Sequence, residues 1–275
     1  MANHITNIPF KLASRENHPA NTLIKVGDVT IGEGLTFIAG PCAVESEAAL
    51  IELAFLVKAS GAKILRGGAF KPRTSPYDFQ GIGKEGIDIL VKVKEVTGMP
   101  VVSEIVDAAD IDVFRDIDIL QIGSRNMQNF SLLKAVGRSD KAVLLKRGYA
   151  STYEELLLAA EYILAEGNEK VILCERGVRS FESYTRNTLD INAVPSLHEL
   201  THLPVIVDPS HSTGKSTLVK PASLAAAAVG ADGLIIEVHQ NPEASLSDGA
   251  QAVTPAEFGE IASIAEKVKE IAYGK

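Results

Sequence analysis

The chain has 275 residues, a length that fits one large domain or two small ones. Its 27 lysine and arginine residues against 35 aspartate and glutamate residues give a net charge of −8, which argues against a surface for nucleic acid or an anionic membrane. The two cysteines, Cys42 and Cys174, are too few for a disulfide framework or a structural zinc module. We find no secretory signal and no apolar run near the ~20 residues that cross a bilayer, so a cytoplasmic protein is expected.

Residues 1–33 are interpreted as an N-terminal extension, and residues 34–275 as a single main domain. Within the extension, the segment LIKVGDVTIG predicts a β-hairpin that turns at Gly27 and Asp28. We expect this hairpin to cover the bottom of the domain that follows.

Eight short apolar segments alternate with longer helical patterns from about residue 35, and their composition is typical of parallel strands buried on both faces. The segments are LTFIAG, AKILRGG, PVVSE, DILQIG, AVLLKRG, KVILCERG, LPVIVDPSH and GLIIEVH. Two capping boxes predict helix starts, one from Ser151 to Glu154 and one from Thr254 to Glu257 with Pro255 at the first helical position. Eight strand–helix units of this length predict a closed (β/α)8 barrel, with a doubly wound open sheet as the alternative.

The carboxyl ends of barrel strands meet at one face, and four potential metal ligands follow strands that become neighbours when the barrel closes. Cys42 follows the first strand, His211 follows the seventh, and Glu237 ends the eighth. Asp248 lies in the loop after the eighth strand. A thiol, an imidazole and two carboxylates at one rim predict a site for a divalent metal, although these mixed ligands leave manganese, iron, cobalt and zinc open.

Positive side chains follow the second strand and the fourth to sixth strands. They are Arg66, Arg125, Lys146 and Arg176. Four cations at the mouth of one barrel would hold a ligand with several negative charges, such as a phosphate together with a carboxylate. Arg138 and Arg147, by contrast, are interpreted as solvated surface cations.

The loop after the second strand predicts a second anion site. Lys71, Arg73 and Thr74 lie on it, and Pro72 and Pro76 stiffen its backbone. We expect this loop to hold a second phosphate in register with the first ligand.

Seven motifs together resemble those of 3-deoxy-D-arabino-heptulosonate-7-phosphate (DAHP) synthase, in its short type I β subclass. They are AGPCAVES, RGGAFKPRTSPYDFQG, QIGSRNMQN, LKRGYAST, CERGVRSFE, DPSHSTGK and IEVHQNPEASLSDGAQ, and the resemblance runs from about residue 25 to the C-terminus. It implies a transferase that condenses phosphoenolpyruvate with erythrose 4-phosphate and water to give DAHP and phosphate. This reaction is the first committed step of the shikimate pathway toward chorismate and the aromatic amino acids.

The resemblance also implies roles for individual residues. The family's metal ligands match Cys42, His211, Glu237 and Asp248. Its phosphoenolpyruvate site matches Arg66, Lys71, Gly123, Ser124, Arg125, Lys146 and Arg176. Its erythrose 4-phosphate site matches Lys71, Pro72, Arg73 and Thr74, together with Asp248. The catalytic set is Lys71, Glu104, Cys42 and His211; Glu104 matches an acid near the point where water would attack, and Lys71 is a candidate proton donor.

Two other functions fit parts of the same pattern. The related 3-deoxy-manno-octulosonate-8-phosphate synthase uses arabinose 5-phosphate, but carries a KANRSS-like segment where this chain has KPRTS. A non-catalytic barrel that senses metal and phosphorylated metabolites would not need the complete set of ligands and cations.

The resemblance implies a divalent metal cofactor, for which we favour manganese, with iron, cobalt, zinc and cadmium as alternatives. It also implies a homo-oligomer, either a dimer or a tetramer. We expect no inhibition by phenylalanine or tyrosine alone, because only about 30 residues precede the barrel. A separate chorismate mutase partner could still confer control.

Overall fold

The computed structural model describes residues 8–73 and 75–274, and within them two sheets are formed. Strands β1 (Ile24–Val26) and β2 (Val29–Ile31) pair antiparallel as a hairpin. Eight parallel strands close into a barrel in chain order, with the last beside the first: β3 (Thr36–Gly40), β4 (Ile64–Arg66), β5 (Val101–Glu104), β6 (Ile119–Ile122), β7 (Ala142–Lys146), β8 (Val171–Glu175), β9 (Val205–Val207) and β10 (Gly233–Glu237). The predicted barrel is confirmed, and the open sheet is wrong.

Seven of the barrel strands are followed by an α-helix, and β9 is followed by two: α1 (Glu47–Ala59), α2 (Lys84–Thr97), α3 (Phe130–Gly137), α4 (Tyr153–Leu164), α5 (Ala193–Leu200), α6 (Pro209–Thr213), α7 (Ser216–Ala228) and α8 (Pro255–Tyr273). The prediction of a full helix after every strand is wrong at β5, which is followed only by a 3-10 helix at Ala108–Asp110. The capping box from Thr254 to Glu257 is confirmed. In the described part of the chain, no helix has the length and apolar composition that crossing a membrane requires.

The other predicted capping box is wrong by one residue. Helix α4 is capped by Thr152, whose hydroxyl accepts from Glu155 N at 3.1 Å, while the Glu155 carboxylate accepts from Thr152 N at 2.8 Å. Both registers fit the capping-box spacing. Ser151 is held in the preceding turn instead. Its N–H donates to the carbonyl of Gly148, and its own carbonyl accepts from the Arg147 guanidinium at 2.8 Å.

Two apolar layers sit inside and outside the barrel sheet. Strand residues that alternate with the outer layer, such as Ile38, Val102 and Leu144, form an inner cluster that also contains Ile24 and Ile31 of the hairpin. The hairpin therefore closes the barrel at the end where the strands begin. The chemistry-bearing residues lie at the opposite end, where the strands stop.

Arg147 is buried, so its interpretation as a solvated surface cation is wrong. Its Nη1 donates to Glu175 Oε2 and to Asp190 Oδ2, each at 2.8 Å. Burial raises the pKa of Glu175, and the Arg147 guanidinium acts against that rise. Arg147 thus ties the end of β7 to the end of β8 and to the loop that follows.

Replacing Arg147 with methionine is expected to lower the free energy of unfolding by about 3 kcal/mol, because it leaves the Glu175 carboxylate buried without its cation. Chemical denaturation followed by circular dichroism measures the change. Arg138→Met is the matched control, since Arg138 is exposed in its pair with Glu166 and its loss should have little effect. Equal stability of the two variants would contradict a structural role for Arg147.

Candidate active site

The four predicted metal ligands lie together at the carboxyl end of the barrel. Cys42 follows β3, and Glu237 is the last residue of β10. His211 lies in the short helix α6, which starts directly after β9 and is capped by Asp208. Ligand atoms of Cys42, His211, Glu237 and Asp248 all lie within 4.8 Å of one another.

Direct contacts between these four residues define the cluster further. Cys42 Sγ lies 3.0 Å from Asp248 Oδ2, and His211 Nε2 lies 3.1 Å from Glu237 Oε1. Asp248 adopts a left-handed backbone conformation with φ of 58°, and among the described residues it is the one non-glycine residue with positive φ. Such a conformation costs free energy in a non-glycine residue and is typical of functional sites.

Asp208, which the sequence did not predict as a site residue, orients the imidazole of His211. Its carboxylate accepts from His211 Nδ1 at 2.7 Å and from the backbone N of the same residue at 2.8 Å. It also pairs with Lys146 Nζ. A carboxylate on one imidazole nitrogen fixes the tautomer and leaves the other nitrogen, here Nε2, directed at the cluster.

The charges at this cluster favour a cation. Burial opposes a proton on His211, but the carboxylates of Asp208 and Glu237 outweigh burial and raise the pKa of the imidazole to about 9. The same proximity holds the pKa of Glu237 well below its usual range, against the effect of burial. The two carboxylates around this imidazole thus favour a positive charge between them, and a divalent ion fits the cluster's donor set of sulfur, nitrogen and oxygen.

Further contacts fix the Glu237 carboxylate from both sides. Arg66 Nη1 donates to its Oε1 at 3.0 Å, and Gln251 Nε2 donates to its Oε2 at 2.6 Å. Gln251 in turn accepts from Arg186 Nη1 at 3.0 Å, and Arg186 also reaches Asp248 Oδ1 at 3.2 Å. Neither Gln251 nor Arg186 was predicted, because a glutamine and a loop arginine carry no sequence signal of their own.

The predicted cations line one pocket together with part of the metal cluster. The pocket is lined by Arg66, Lys71, Pro72, Arg73, Glu104, Gln121, Gly123, Ser124, Arg125, Lys146, Tyr149, Arg176, Arg186, His211 and Asp248. Lys71 bridges the two sets, since its Nζ lies 2.9 Å from Cys42 Sγ. The structure therefore brings together the thiol, imidazole and carboxylate groups with the guanidinium and ammonium groups that were predicted to face them.

The cations of the pocket differ in their partners. Arg66 pairs with Glu237, and Lys146 pairs with Asp208. Within the described residues, neither Arg125 nor Arg176 forms an ion pair with a carboxylate. These two guanidinium groups therefore keep their charge available for an anion from outside the chain.

The loop that carries the predicted second anion site bends over the metal cluster. Arg73 donates from Nε to the carbonyl of Phe79 at 3.0 Å, and its Nη1 lies 3.4 Å from Asp248 Oδ2. Its Nη2 also contacts Ser247 Oγ. Thr74, the other anion-binding residue predicted here, lies outside the described residues.

Glu104 ends β5 and projects into the same pocket, where it accepts from Gln121 Nε2 at 3.4 Å. A Cβ atom at position 123 would overlap the Glu104 carboxylate where it now lies, so a larger residue there would require this side chain to shift. Ser124 lines the pocket beside it. The absence of a side chain at Gly123 therefore leaves room for the Glu104 carboxylate.

Comparison with known proteins agrees with the family resemblance found in the sequence motifs. The model of the DAHP synthetase I family matches residues 11–273. The chain belongs to this family. It is 53% identical to the phospho-2-dehydro-3-deoxyheptonate aldolase of Thermotoga maritima, over 95% of this chain and 78% of that protein.

Two further similarities place the chain within the family. The crystal structure of the Thermotoga maritima DAHP synthase superposes with a TM-score of 0.93 at 51% identity, covering 97% of this chain and 78% of that one. A 2-dehydro-3-deoxyphosphooctonate aldolase from Syntrophotalea carbinolica is 35% identical, over 84% of this chain and 90% of its own length. Relatives named for the eight-carbon product are thus more distant than the relative named for the seven-carbon product.

Proposed function

We propose that the chain is a metal-dependent DAHP synthase, which condenses phosphoenolpyruvate with erythrose 4-phosphate and water and releases phosphate. The observation that carries the proposal is the single pocket in which Arg125 and Arg176, without carboxylate partners, face the cluster of Cys42, His211 and Asp248. Membership of the DAHP synthetase I family supports the same reaction. This would place the chain at the start of aromatic amino acid biosynthesis.

Phosphoenolpyruvate would lie along the cationic wall. We assign its phosphate to Arg125, Lys146 and Arg176, and its carboxylate to Arg66 and Lys71. Guanidinium groups suit both anions because they donate two parallel hydrogen bonds to paired oxygens. The backbone of Gly123 and Ser124 completes the site.

Erythrose 4-phosphate would lie nearer the opening, between the loop and the metal cluster. We assign its phosphate to Arg73 and Thr74, on backbone stiffened by Pro72. Its aldehyde end would then point toward Asp248 and Lys71. This order places the aldehyde carbon next to C3 of phosphoenolpyruvate.

The four-residue cluster would hold the divalent metal, with Asp208 keeping Nε2 of His211 directed at it. When bound, such an ion acts as a Lewis acid on the aldehyde oxygen. Arg66 and Gln251 would keep Glu237 in its ligating orientation, since both donate to its carboxylate.

The reaction needs a proton donor and an attacking water. C3 of phosphoenolpyruvate adds to the aldehyde carbon, and Lys71 would protonate the alkoxide that forms. C2 is left with cationic character, and water adds there with loss of a proton to give a hemiketal phosphate. The C2 hydroxyl then becomes the ketone as the bond from C2 to the phosphate oxygen breaks, and its proton leaves with the phosphate. Glu104 projects into the pocket beside Gln121 and would orient this water or take its proton.

A condensation assay that compares two aldose phosphates tests the proposal. The purified chain, reconstituted with Mn²⁺, is expected to release phosphate from phosphoenolpyruvate with erythrose 4-phosphate, and much more slowly with arabinose 5-phosphate. A chelator should stop the reaction. Preference for arabinose 5-phosphate would assign the eight-carbon product instead, and phosphate release with neither sugar would reject a synthase.

The remaining expectations belong to the same proposal. We favour manganese as the physiological metal and a dimer or tetramer of identical chains in the cytoplasm. We also propose that residues 34–275 form the catalytic unit, with residues 1–33 as an accessory segment. Size-exclusion chromatography with light scattering and metal analysis of the protein as isolated would check the first two points.

A further inference from the structure

Tyr149 lines the pocket between three arginine side chains, and no role follows for it from the proposed chemistry. The centroid of its ring lies 4.7 Å from the Arg176 guanidinium carbon, 4.8 Å from that of Arg179 and 5.7 Å from that of Arg125. The backbone of Tyr149 is fixed as well, because its carbonyl accepts from Arg179 N at 2.7 Å.

The three arginines differ in position. Arg176 is only 2% exposed, and its other contacts are to the backbone carbonyls of Gly177 and His211 at 3.3 and 3.1 Å. Burial lowers the pKa of Arg176, and the nearby charge of Asp208 offsets only part of this effect. Arg125 and Arg179 are exposed, and of these two Arg125 lines the pocket.

We infer that Tyr149 is a positioning residue for the phosphate site: its ring is a neutral partner that holds Arg125 and Arg176 toward the pocket without competing for their charge. The inference rests on the proposed function, because it concerns the phosphate of phosphoenolpyruvate.

A carboxylate at this place would also stabilise the two guanidinium groups, but it would occupy the donors that phosphate needs. The face of an aromatic ring attracts a cation through its quadrupole and leaves the N–H donors at the edge of the guanidinium group free. Arg66 and Lys146 differ from these two arginines, since each would divide its donors between the ligand and a buried carboxylate. Within the described residues, Arg125 and Arg176 are the pocket cations that combine a ring contact with the lack of an ion pair.

Binding of inorganic phosphate and of phosphoenolpyruvate, measured by isothermal titration calorimetry, tests the inference with three variants. Tyr149→Leu removes the ring and is expected to weaken both ligands by about 5- to 30-fold, the loss of two cation–π contacts. Tyr149→Phe keeps the ring and should bind both within about twofold of the wild type. Tyr149→Glu should bind both ligands more weakly than Tyr149→Leu, because its carboxylate competes with the phosphate for Arg125 and Arg176.

Tyr184→Leu is the matched control. It removes a different ring–cation contact, in which Lys215 Nζ lies 3.2 Å from the centroid of the Tyr184 ring. Phosphate affinity should not change in this variant. The KM for erythrose 4-phosphate and the affinity for Mn²⁺ should not change in Tyr149→Leu either, a selectivity that general destabilisation would not produce.

The outcomes separate the inference from the proposed function. Wild-type affinity for phosphate in Tyr149→Leu, or an equal loss in Tyr149→Phe, would overturn the role of the ring. Loss of phosphate affinity in Tyr149→Leu, with a wild-type protein that binds phosphate but catalyses no condensation, would retain the role and reject the reaction. A wild-type protein that binds neither ligand would overturn both.

Discussion

Cys42→Ala is expected to lower kcat for condensation by about a thousandfold, because a Lewis acid stabilises developing charge by several kcal/mol. The cysteine belongs to the four-residue cluster, and its sulfur lies 3.0 Å from a carboxylate oxygen of Asp248 and 2.9 Å from Lys71 Nζ. Alanine removes the thiol ligand, and because its side chain is smaller than that of cysteine it should not disturb the loop after β3. Steady-state kinetics with saturating Mn²⁺ measures the loss.

Cobalt substitution reports the same ligand without turnover. A Co²⁺–thiolate bond gives a charge-transfer absorption in the near ultraviolet, which the wild type should show and Cys42→Ala should lack. Cys174→Ala is the control, since Cys174 lies in β8, is fully buried, and has a pKa that burial raises far above its ordinary value. Survival of the absorption in Cys42→Ala would show that Cys42 is not the thiolate ligand. Loss of the absorption in Cys174→Ala would assign the signal to Cys174 instead.

Lys71→Met is expected to lower kcat by about 10²- to 10⁴-fold while metal affinity changes little, because it removes a proton donor and leaves all four ligands in place. Burial by itself lowers the pKa of Lys71, but the neighbouring charges of Cys42 and Glu104 outweigh burial and the pKa is raised. The ammonium group therefore keeps its proton at neutral pH. Rapid-quench kinetics of the first turnover measures the chemical step.

Lys84→Met, at the start of α2, is the control for the loss of a positive charge. Lys84 is exposed and pairs with Asp88, so its loss should change neither kcat nor metal affinity. Full activity in Lys71→Met would reject the proton transfer. A parallel loss of metal binding would show that Lys71 supports the thiolate and would leave its role in proton transfer without support.

The barrel was predictable because its signal is repeated. Eight apolar segments of similar length that alternate with helical patterns admit few other folds, and all eight correspond to strands β3 to β10. The group of four potential metal ligands was predictable for a related reason. Once the strand order is cyclic, Cys42, His211 and Glu237 must end up side by side at one rim.

What the sequence did not predict was the set of partners behind those residues. Asp208 was part of a recognised strand end, yet only the geometry of α6 shows its carboxylate on Nδ1 of His211. Arg147 and Lys146 are adjacent cations at the end of the same apolar segment. Successive side chains point in opposite directions there, so Lys146 faces the pocket while Arg147 faces Glu175. Tyr149 lies on a loop, where no periodicity indicates the direction of a side chain.

The capping box at α4 shows a limit of another kind. Ser151 and Thr152 each have a glutamate three positions later, so local spacing alone allows two helix starts. Arg147 decides between them, because its bond to the Ser151 carbonyl belongs to a network that includes Glu175, 24 positions further along the chain than Ser151. Local pattern can therefore locate a helix while a distant contact sets its first residue.

The carboxylate of Asp208 touches both halves of the site, since it contacts Lys146 on one side and His211 on the other. If an anion binds Lys146 and a metal binds His211, as we propose, both ligands act on the same carboxylate. Thermodynamic linkage then makes their influence reciprocal: whatever occupancy of the first site does to the affinity of the second, the second does to the first by the same factor.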